Sequence, residues 1–335
     1  MNLDCEVLRR RKLIGYGAGL ATLLTLRATP LDLEFIVDDK PESQGTELLG
    51  IPVVPPAELH RVNLPEYFVV IFAYTGAAIR AIQDKLAGFG LGFPDHWIDC
   101  SLLHFHSYRR RLKAALGVDA SPDLFATSRL LSIYTYPQNL SGPAGTWLYL
   151  ELVRELNRRT VAGDVAELGV FEGGNALCSL LAGRDIQGQR TVHLFDSFMT
   201  TSGRWSDDPT QRRDETNDVT LTSVRNCLSP FENVRIHPGF FEKTLRIVRD
   251  RRFALVYYDA DLYKPAVECC SFFYERLEPG GMMLFHDYCA EEPELPRGAR
   301  APFLGVKKAV DEFLAGREDR LLNFPETTHA LMIKA

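Results

Sequence analysis

Short apolar runs alternate with amphipathic segments in two separate stretches of the chain, and this alternation sets the expected fold. The first stretch opens with Arg11-Lys-Leu-Ile-Gly-Tyr-Gly-Ala-Gly19, an apolar run feeding a glycine-rich turn, and Leu20 to Leu26 then reads as a helix. Leu33 to Asp39 is a strand ending in two acids, and Phe68 to Ala73 is a continuous apolar run suited to a buried parallel strand. A helix is expected over Ala77–Leu86 and a short strand over Trp97–Cys100. The second stretch starts at Asp164. Strands are expected at 165–169, 191–196, 234–237, 253–259 and 281–287, separated by helices at 176–182, 223–227, 244–250 and 266–277. A helix over 306–314 and an antiparallel pair, 321–324 with 329–334, close the chain. Strands alternating with helices predict doubly wound parallel sheets. Residues 1–100 form one small α/β unit, 101–160 a strand-free helical linker and lid region, and 161–335 the second unit. Within 101–160, Ser141-Gly-Pro-Ala-Gly145 reads as a break and Thr146 as the N-cap of a helix running to Arg158, with Leu148, Leu152 and Leu156 on one face.

Composition narrows the class. The chain has 335 residues, 46% apolar and 24% charged, with a net charge of −6. That balance argues against a nucleic-acid partner, which wants a clustered basic surface. The runs Arg9–Arg11 and Arg109–Arg111 read as solvated helix faces or ends. No apolar stretch has the length of a membrane span, and the first residues lack the pattern of a signal peptide. Seven cysteines without a CxxC pair fit a reducing, cytoplasmic setting. His104 and His106 alone are too few to hold a metal.

In an open α/β sheet, ligands bind beyond the C-terminal strand ends. The first unit carries a GxGxG turn with an acidic strand end about twenty residues on, the layout of a dinucleotide-binding half, with Leu20 where a third glycine is wanted. In the second unit the turn is Glu167-Leu-Gly-Val-Phe-Glu-Gly-Gly-Asn175, bulkier than a phosphate cradle and lacking a Lys-Ser/Thr pair. Asp196, ending the next strand, is placed to accept hydrogen bonds from ribose hydroxyls. Together these suit adenosine carrying an amino-acid tail better than a dinucleotide. Asp259, Asp261, His286 and Asp287 end neighbouring strands and can converge; such a set suits Mg²⁺, with the histidine tilting preference toward Mn²⁺ or another transition ion.

Residues 164–334 resemble the macrocin O-methyltransferase family, metal-dependent class I enzymes that methylate sugar hydroxyls of macrolides and related glycosides. The resemblance rests on GDVAELGVFEGGNA (163–176), LFDSF (194–198), HPGFFEKTL (237–245), YYDADLYKPAVECCSFFYERLEPGGMMLFHDY (257–288) and GVKKAVDEF (305–313). It implies a class I methyltransferase Rossmann-like doubly wound sheet, here preceded by a smaller Rossmann-like α/β domain. It also implies S-adenosyl-L-methionine (SAM) as methyl donor, a divalent metal (Mg or Mn) and a small-molecule or glycan acceptor; self-association is left open. Carried over by position, Glu167, Gly169, Phe171, Gly173, Gly174 and Asn175 would line the methionine and ribose of SAM. Asp196 and Ser197 would meet the ribose, Gly239 and Phe240 would sit near the adenine, and Asp259, His286 and Asp287 would hold the metal. Two departures stand out. The family usually has two acids where this chain has His286-Asp287, and it places a base histidine where this chain has WSDDPTQRRDETND (205–218). Asp208 is the expected substitute, with Asp207, Asp214 and Glu215 as alternatives, and Asp259 and His286 complete the catalytic set. Residues 1–100, mainly FIVDDKPESQGTELLGIPVV (35–54), resemble small Rossmann domains that bind nucleotide sugars in some sugar-modifying enzymes. Two rival readings are an NAD(P)-dependent sugar-nucleotide oxidoreductase or epimerase and a non-catalytic binding protein. The first lacks a Tyr-x-x-x-Lys pair.

Overall fold

The structure, a computed structural model, describes residues 8, 11–137, 139–187, 190–198, 221–291, 294–295, 297–299 and 302–334. Two sheets form, one from each stretch of alternating pattern. The first contains β1 (Lys12–Tyr16), β2 (Leu33–Val37), β3 (Glu47–Leu48), β4 (Ile51–Val54), β5 (Tyr67–Ile71) and β6 (Trp97–Asp99), in the order β3-β4-β2-β1-β5-β6. All neighbours are parallel except the β3–β4 hairpin. That hairpin was not expected: its strands are short, half-exposed and interrupted by Pro52, so no period-2 pattern marks them. Helices α1 (Leu20–Ala28) and α2 (Gly76–Gly88) follow β1 and β5.

Three helices then run without an intervening strand: α3 (Ser101–Leu116), α4 (Pro122–Tyr134) and α5 (Gly142–Arg158). Helix α5 begins four residues before the expected Thr146 cap, a correction to the sequence reading. Pro143 lies in its first turn, where the missing N–H costs nothing. Thr146 is inside the helix and donates from Oγ1 to Asn175 Oδ1 at 2.8 Å.

The second sheet contains β7 (Asp164–Leu168), β8 (Val192–Asp196), β9 (Val234–Pro238), β10 (Phe253–Tyr258), β11 (Leu277–Phe285), β12 (Arg320–Phe324) and β13 (His329–Ile333). Their order is β12-β13-β11-β10-β7-β8-β9, with β13 antiparallel to both neighbours and the rest parallel. The expected closing pair is therefore present. Helices α6 (Gly174–Ala182), α7 (Arg184–Gln187), α8 (Leu221–Leu228), α9 (Phe241–Thr244), α10 (Tyr263–Arg276) and α11 (Gly305–Leu314) connect the strands. The helix expected over 244–250 is instead the single turn α9 followed by a 3₁₀ turn, Leu245–Val248.

Strand β10 shows why its sequence is apolar throughout: Leu255 and Tyr257 enter one core cluster, Val256 and Tyr258 another. Both faces of the sheet are covered. The first of these clusters extends from Leu13 and Phe68 through Trp147 to Tyr257 and Leu331, so α3, α4 and α5 share one core with both sheets. Trp147 packs edge-on to Phe105 (centroids 4.9 Å apart) and Phe125 (5.8 Å). His104 is buried against this core. Its Nε2 lies 2.8 Å from Thr25 Oγ1, and burial pulls its pKa down to about 3. Among the described residues, no helix is long and apolar enough to cross a membrane.

Candidate active site

The order of the second sheet puts β7 between β8 and β10, so the chain changes direction across the sheet at β7 and a crevice opens there. The turn leaving β7 is forced to be tight. Gly169 has φ +90°, and a Cβ on it would lie 2.0 Å from the Asp259 carbonyl oxygen, so only glycine fits. That contact binds the turn after β7 to the end of β10, as does the hydrogen bond from Asp259 N to Leu168 O (2.7 Å).

Asp196 organises the same turn. Its Oδ2 accepts from the amides of Val170 (2.7 Å) and Phe171 (2.9 Å), and its Oδ1 accepts from Phe198 N (2.8 Å). Glu167 is 2% exposed, and burial pushes its carboxyl up to about 8. Asn175, in the first turn of α6, has a buried Nδ2 with no hydrogen-bond partner among the described residues. An orphaned donor at a cavity wall is costly unless a ligand accepts from it, and Asn175 lines the cavity described below.

The acidic side of the crevice is built from β10 and β11. His286 Nδ1 lies 2.7 Å from Asp259 Oδ1 and 3.6 Å from Asp287 Oδ2. Burial alone would lower the imidazole pKa, but the Asp259 and Asp287 charges outweigh it and hold the group at about 10. Burial likewise pushes Asp259 up, and the His286 charge, with hydrogen bonds from His286 and Ser141, brings it down to about 2. Asp261 is raised well above the usual range by burial and by the charges of Asp287 and Asp259. Asp261 (φ +62°) and Asp287 (φ +55°) are both left-handed non-glycine residues, as are Phe171 (φ +52°) and Phe198 (φ +49°) across the crevice. Such strain persists where the surrounding structure imposes it, and it concentrates at functional sites.

Thirteen of the second-unit residues singled out from sequence line one cavity of about 960 Å³: Glu167, Gly169, Phe171, Gly174, Asn175, Asp196, Ser197, Gly239, Phe240, Asp259, Asp261, His286 and Asp287. Gly173 is not on its wall; a Cβ there would meet Val224 of α8 at 3.3 Å. Asp208 and its alternatives Asp207, Asp214 and Glu215 lie outside the described residues. Three residues were not singled out. Ser141 Oγ donates to Asp259 Oδ2 (2.9 Å), Tyr257 OH donates to the same oxygen (3.1 Å), and the His329 ring lies 4.7 Å from that of His286. Ser141 sits in a segment that read as a break, and Tyr257 and His329 sit in strands whose apolar pattern hid them.

One ligand atom from each of Asp259, His286 and Asp287 can be chosen so that all lie within 4.8 Å of one another. Ligands about 2.1 Å from an ion and at right angles are roughly 3 Å apart, and the two His286 Nδ1 distances, 2.7 and 3.6 Å, bracket that value, so the three donors could close on a divalent ion once His286 Nδ1 has lost its proton.

Residues 149–299 match the family model described as Macrocin-O-methyltransferase (TylF). The chain is 31% identical over 147 residues to mycinamicin III 3''-O-methyltransferase of Micromonospora griseorubida, covering 39% of this chain and 58% of that protein. It is 26% identical over 178 residues to demethyldecarbamoylnovobiocin O-methyltransferase of Streptomyces niveus, covering 49% and 63%. The matches thus span less than two thirds of these relatives. Among solved structures, the O-methyltransferase NovP aligns with a TM-score of 0.45 at 22% identity, covering 71% of this chain and 100% of that one.

Proposed function

We propose that this chain transfers a methyl group from SAM to a hydroxyl of a sugar or glycoside. The observation that carries the reading is the convergence of two different chemistries on one cavity. Glu167 and Tyr257 are register partners on adjacent strands, so the donor-side carboxyl and Asp259, two residues past Tyr257, flank the same crevice. The two relatives above are O-methyltransferases by name, and a third, 32% identical over 145 residues, is named for the 4'-O-methylation of a rhamnosyl-bearing tetracenomycin.

In this reading Glu167 pairs with the ammonium group of SAM, and Asn175 Nδ2 gains its missing acceptor. Asp196 and Ser197 face the ribose, and Gly239 and Phe240 flank the adenine. The acceptor oxygen attacks the methyl carbon in line; the carbon–sulfur bond breaks and its electron pair stays on sulfur, leaving a neutral thioether. The hydroxyl proton must leave in the same step. Without an ion, Asp259 holds His286 protonated. With an ion bound, His286 would ligate through Nδ1 and keep only its Nε2 proton. In neither state does it take the hydroxyl proton, and its remaining N–H donates a hydrogen bond to the developing alkoxide. Proton removal then falls to a carboxylate, and Asp208 is the proposed base. Asp259, His286 and Asp287 would hold a divalent ion, Mg²⁺ or Mn²⁺, which when bound supplies Lewis-acid chemistry that lowers the acceptor's pKa. Alignment of the reacting atoms supplies much of the rest, up to about 7–11 kcal/mol in well-oriented cases.

The test is calorimetry with SAM and with NAD, followed by transfer of labelled methyl from SAM to a panel of glycosides with and without Mg²⁺ or Mn²⁺. Binding of NAD in place of SAM would make the chain an oxidoreductase candidate. Binding of SAM without any methylated product would make it a binding protein.

A further inference from the structure

Behind Asp259 stands a run of polar side chains that the proposed reaction does not use. Tyr257, His329, Thr327 and Tyr108 are all buried, and they make one continuous chain of hydrogen bonds ending on Asp259. Its direction follows from its last link. Tyr257 OH donates to Asp259 Oδ2 (3.1 Å). A phenol has one proton, so the contact between its oxygen and His329 Nε2 (3.2 Å) is a hydrogen bond only if Nε2 carries the hydrogen. Burial, with the His286 charge beside it, holds the His329 imidazole well below its ordinary pKa, so the ring is neutral and Nδ1 is bare. Nδ1 then accepts from Thr327 Oγ1 (2.7 Å). With its own proton so placed, Thr327 Oγ1 accepts from Tyr108 OH. Every proton in the chain points toward Asp259.

The far end of the chain is gripped by the first unit and the linker. Thr327 closes the 3₁₀ turn Pro325–Thr327, which joins β12 to β13. Tyr74, just past β5 of the first sheet, donates from its OH to Glu326 O (2.6 Å). On α3, Ser107 Oγ donates to the buried Glu326 carboxylate, and Arg111 pairs with it at 3.5 Å. The next residue, Thr328, is held left-handed at φ +58°, a strain that persists only where the surroundings impose it.

We propose that this chain positions Asp259 and carries no proton. Ser141 (2.9 Å) and Tyr257 both donate to Oδ2, so the carboxylate cannot exchange its oxygens without giving up two hydrogen bonds, and Oδ1 is the oxygen presented to His286 (2.7 Å). A proton reaching Asp259 could enter the chain only after Tyr257, His329, Thr327 and Tyr108 had all reversed. The acceptor's proton therefore leaves on the cavity side. Tyr108, Thr327 and His329 are positioning residues that act through Tyr257. This deepens the methyl-transfer reading above and rests on it.

The experiment uses the full chain. Nitrogen-15 NMR of the imidazoles, with His329→Gln identifying the His329 signals, should show a hydrogen on Nε2 and a bare Nδ1 in the wild type without substrate. Turnover is read as labelled-methyl transfer to the best acceptor of the glycoside panel. Tyr257→Phe should lower kcat about tenfold or more and leave SAM affinity and acceptor KM within about threefold, because alignment is lost and binding is not. His329→Gln, whose amide nitrogen can donate to Tyr257, should stay within about threefold of wild type in kcat. His329→Leu, which fills space without donating, should lose as much as Tyr257→Phe. The solvent deuterium isotope effect on kcat should be the same in Thr327→Val as in wild type. The proposal is overturned if Nδ1 carries the hydrogen, if His329→Gln and His329→Leu lose equally, or if Tyr257→Phe keeps full kcat. A changed isotope effect in Thr327→Val would make the chain a proton conduit and overturn it as well. The imidazole reading needs no turnover and no variant beyond the assignment, so it decides even where a variant fails to fold. These failures leave SAM binding and methyl transfer standing. Loss of the methyl-transfer reading shows separately, as absence of SAM binding and of methylated product with wild type.

Discussion

Asp259 and His286 hold each other charged across 2.7 Å, at the ends of adjacent strands. Asp259 is lowered to about 2 and His286 raised to about 10, so the pair is intact between those limits and is lost only above or below them. The pair therefore does not shape the pH profile between pH 6 and 9. Removing one partner does. Asp259→Asn should lower the methyl-transfer rate by about 10²-fold or more, lower the His286 pKa, and leave SAM affinity within a few-fold. Labelled-methyl assays, NMR titration of the imidazole and calorimetry read these three effects. Full activity in the variant would remove Asp259 from the mechanism.

The donor set bears on metal choice through one atom. For His286 to ligate, Nδ1 must give up the proton it now shares with Asp259, so ion binding should release a proton and weaken as pH falls. A nitrogen donor favours Mn²⁺ over Mg²⁺, and His286→Asp, which restores an all-oxygen set, should shift preference toward Mg²⁺. Mn²⁺ binding followed by electron paramagnetic resonance, with and without His286, checks this apart from turnover. Chelator should abolish the rate and Mn²⁺ restore it; an undiminished rate in chelator would make the reaction metal-independent.

Glu167 links donor binding to protons. Its folded-state carboxyl lies at about 8 against an ordinary value of 4.5, because it is buried. A raised carboxyl binds its proton more tightly in the folded chain, so its stabilising contribution is complete below about 4.5 and is lost as pH rises to about 8. Stability should fall across this window by up to roughly 1.4 kcal/mol per pH unit from this group alone, and Glu167→Gln should remove that slope. If the ammonium of SAM pairs with this carboxylate, as proposed, SAM should bind with release of a proton at pH 7. Calorimetry in buffers of different ionisation enthalpy measures it, and no buffer dependence would refute the pairing.

Both acid-capped turns were readable in the chain because strand, glycine turn, helix and acidic strand end recur in a fixed order. Asp38 and Asp196 fall at equivalent places in the two units, and the structure gives them equivalent amide partners. The residues around Asp259 were less legible. Ser141 opens the Ser-Gly-Pro-Ala-Gly stretch that reads as a break, and only the packing of α5 against both sheets brings it to β10. Tyr257 and His329 lie in strands buried on both faces, where no polar alternation announces which side chain reaches a site. That residues of both units line one cavity depends on long-range contacts that no local pattern encodes.

Those contacts allow the site to be disturbed from behind. His329 is fully buried; Nε2 lies 3.2 Å from Tyr257 OH, and Nδ1 2.7 Å from Thr327 Oγ1. Gly145 of α5 packs against the ring, and a Cβ there would stand 2.9 Å from Cε1 and 3.1 Å from Nε2. The ring cannot swing aside without giving up both hydrogen bonds, and Tyr257 in turn donates to Asp259. Gly145→Ala should therefore destabilise the fold by about 1–3 kcal/mol through overpacking and lower kcat with little change in SAM affinity. Trimming the ring relieves the clash, so Gly145→Ala and His329→Ala should be non-additive by about 1 kcal/mol or more. Denaturant unfolding of the two single variants and the double variant measures that coupling. Additive effects would show that the glycine is needed for the helix alone and not for the ring that supports Tyr257.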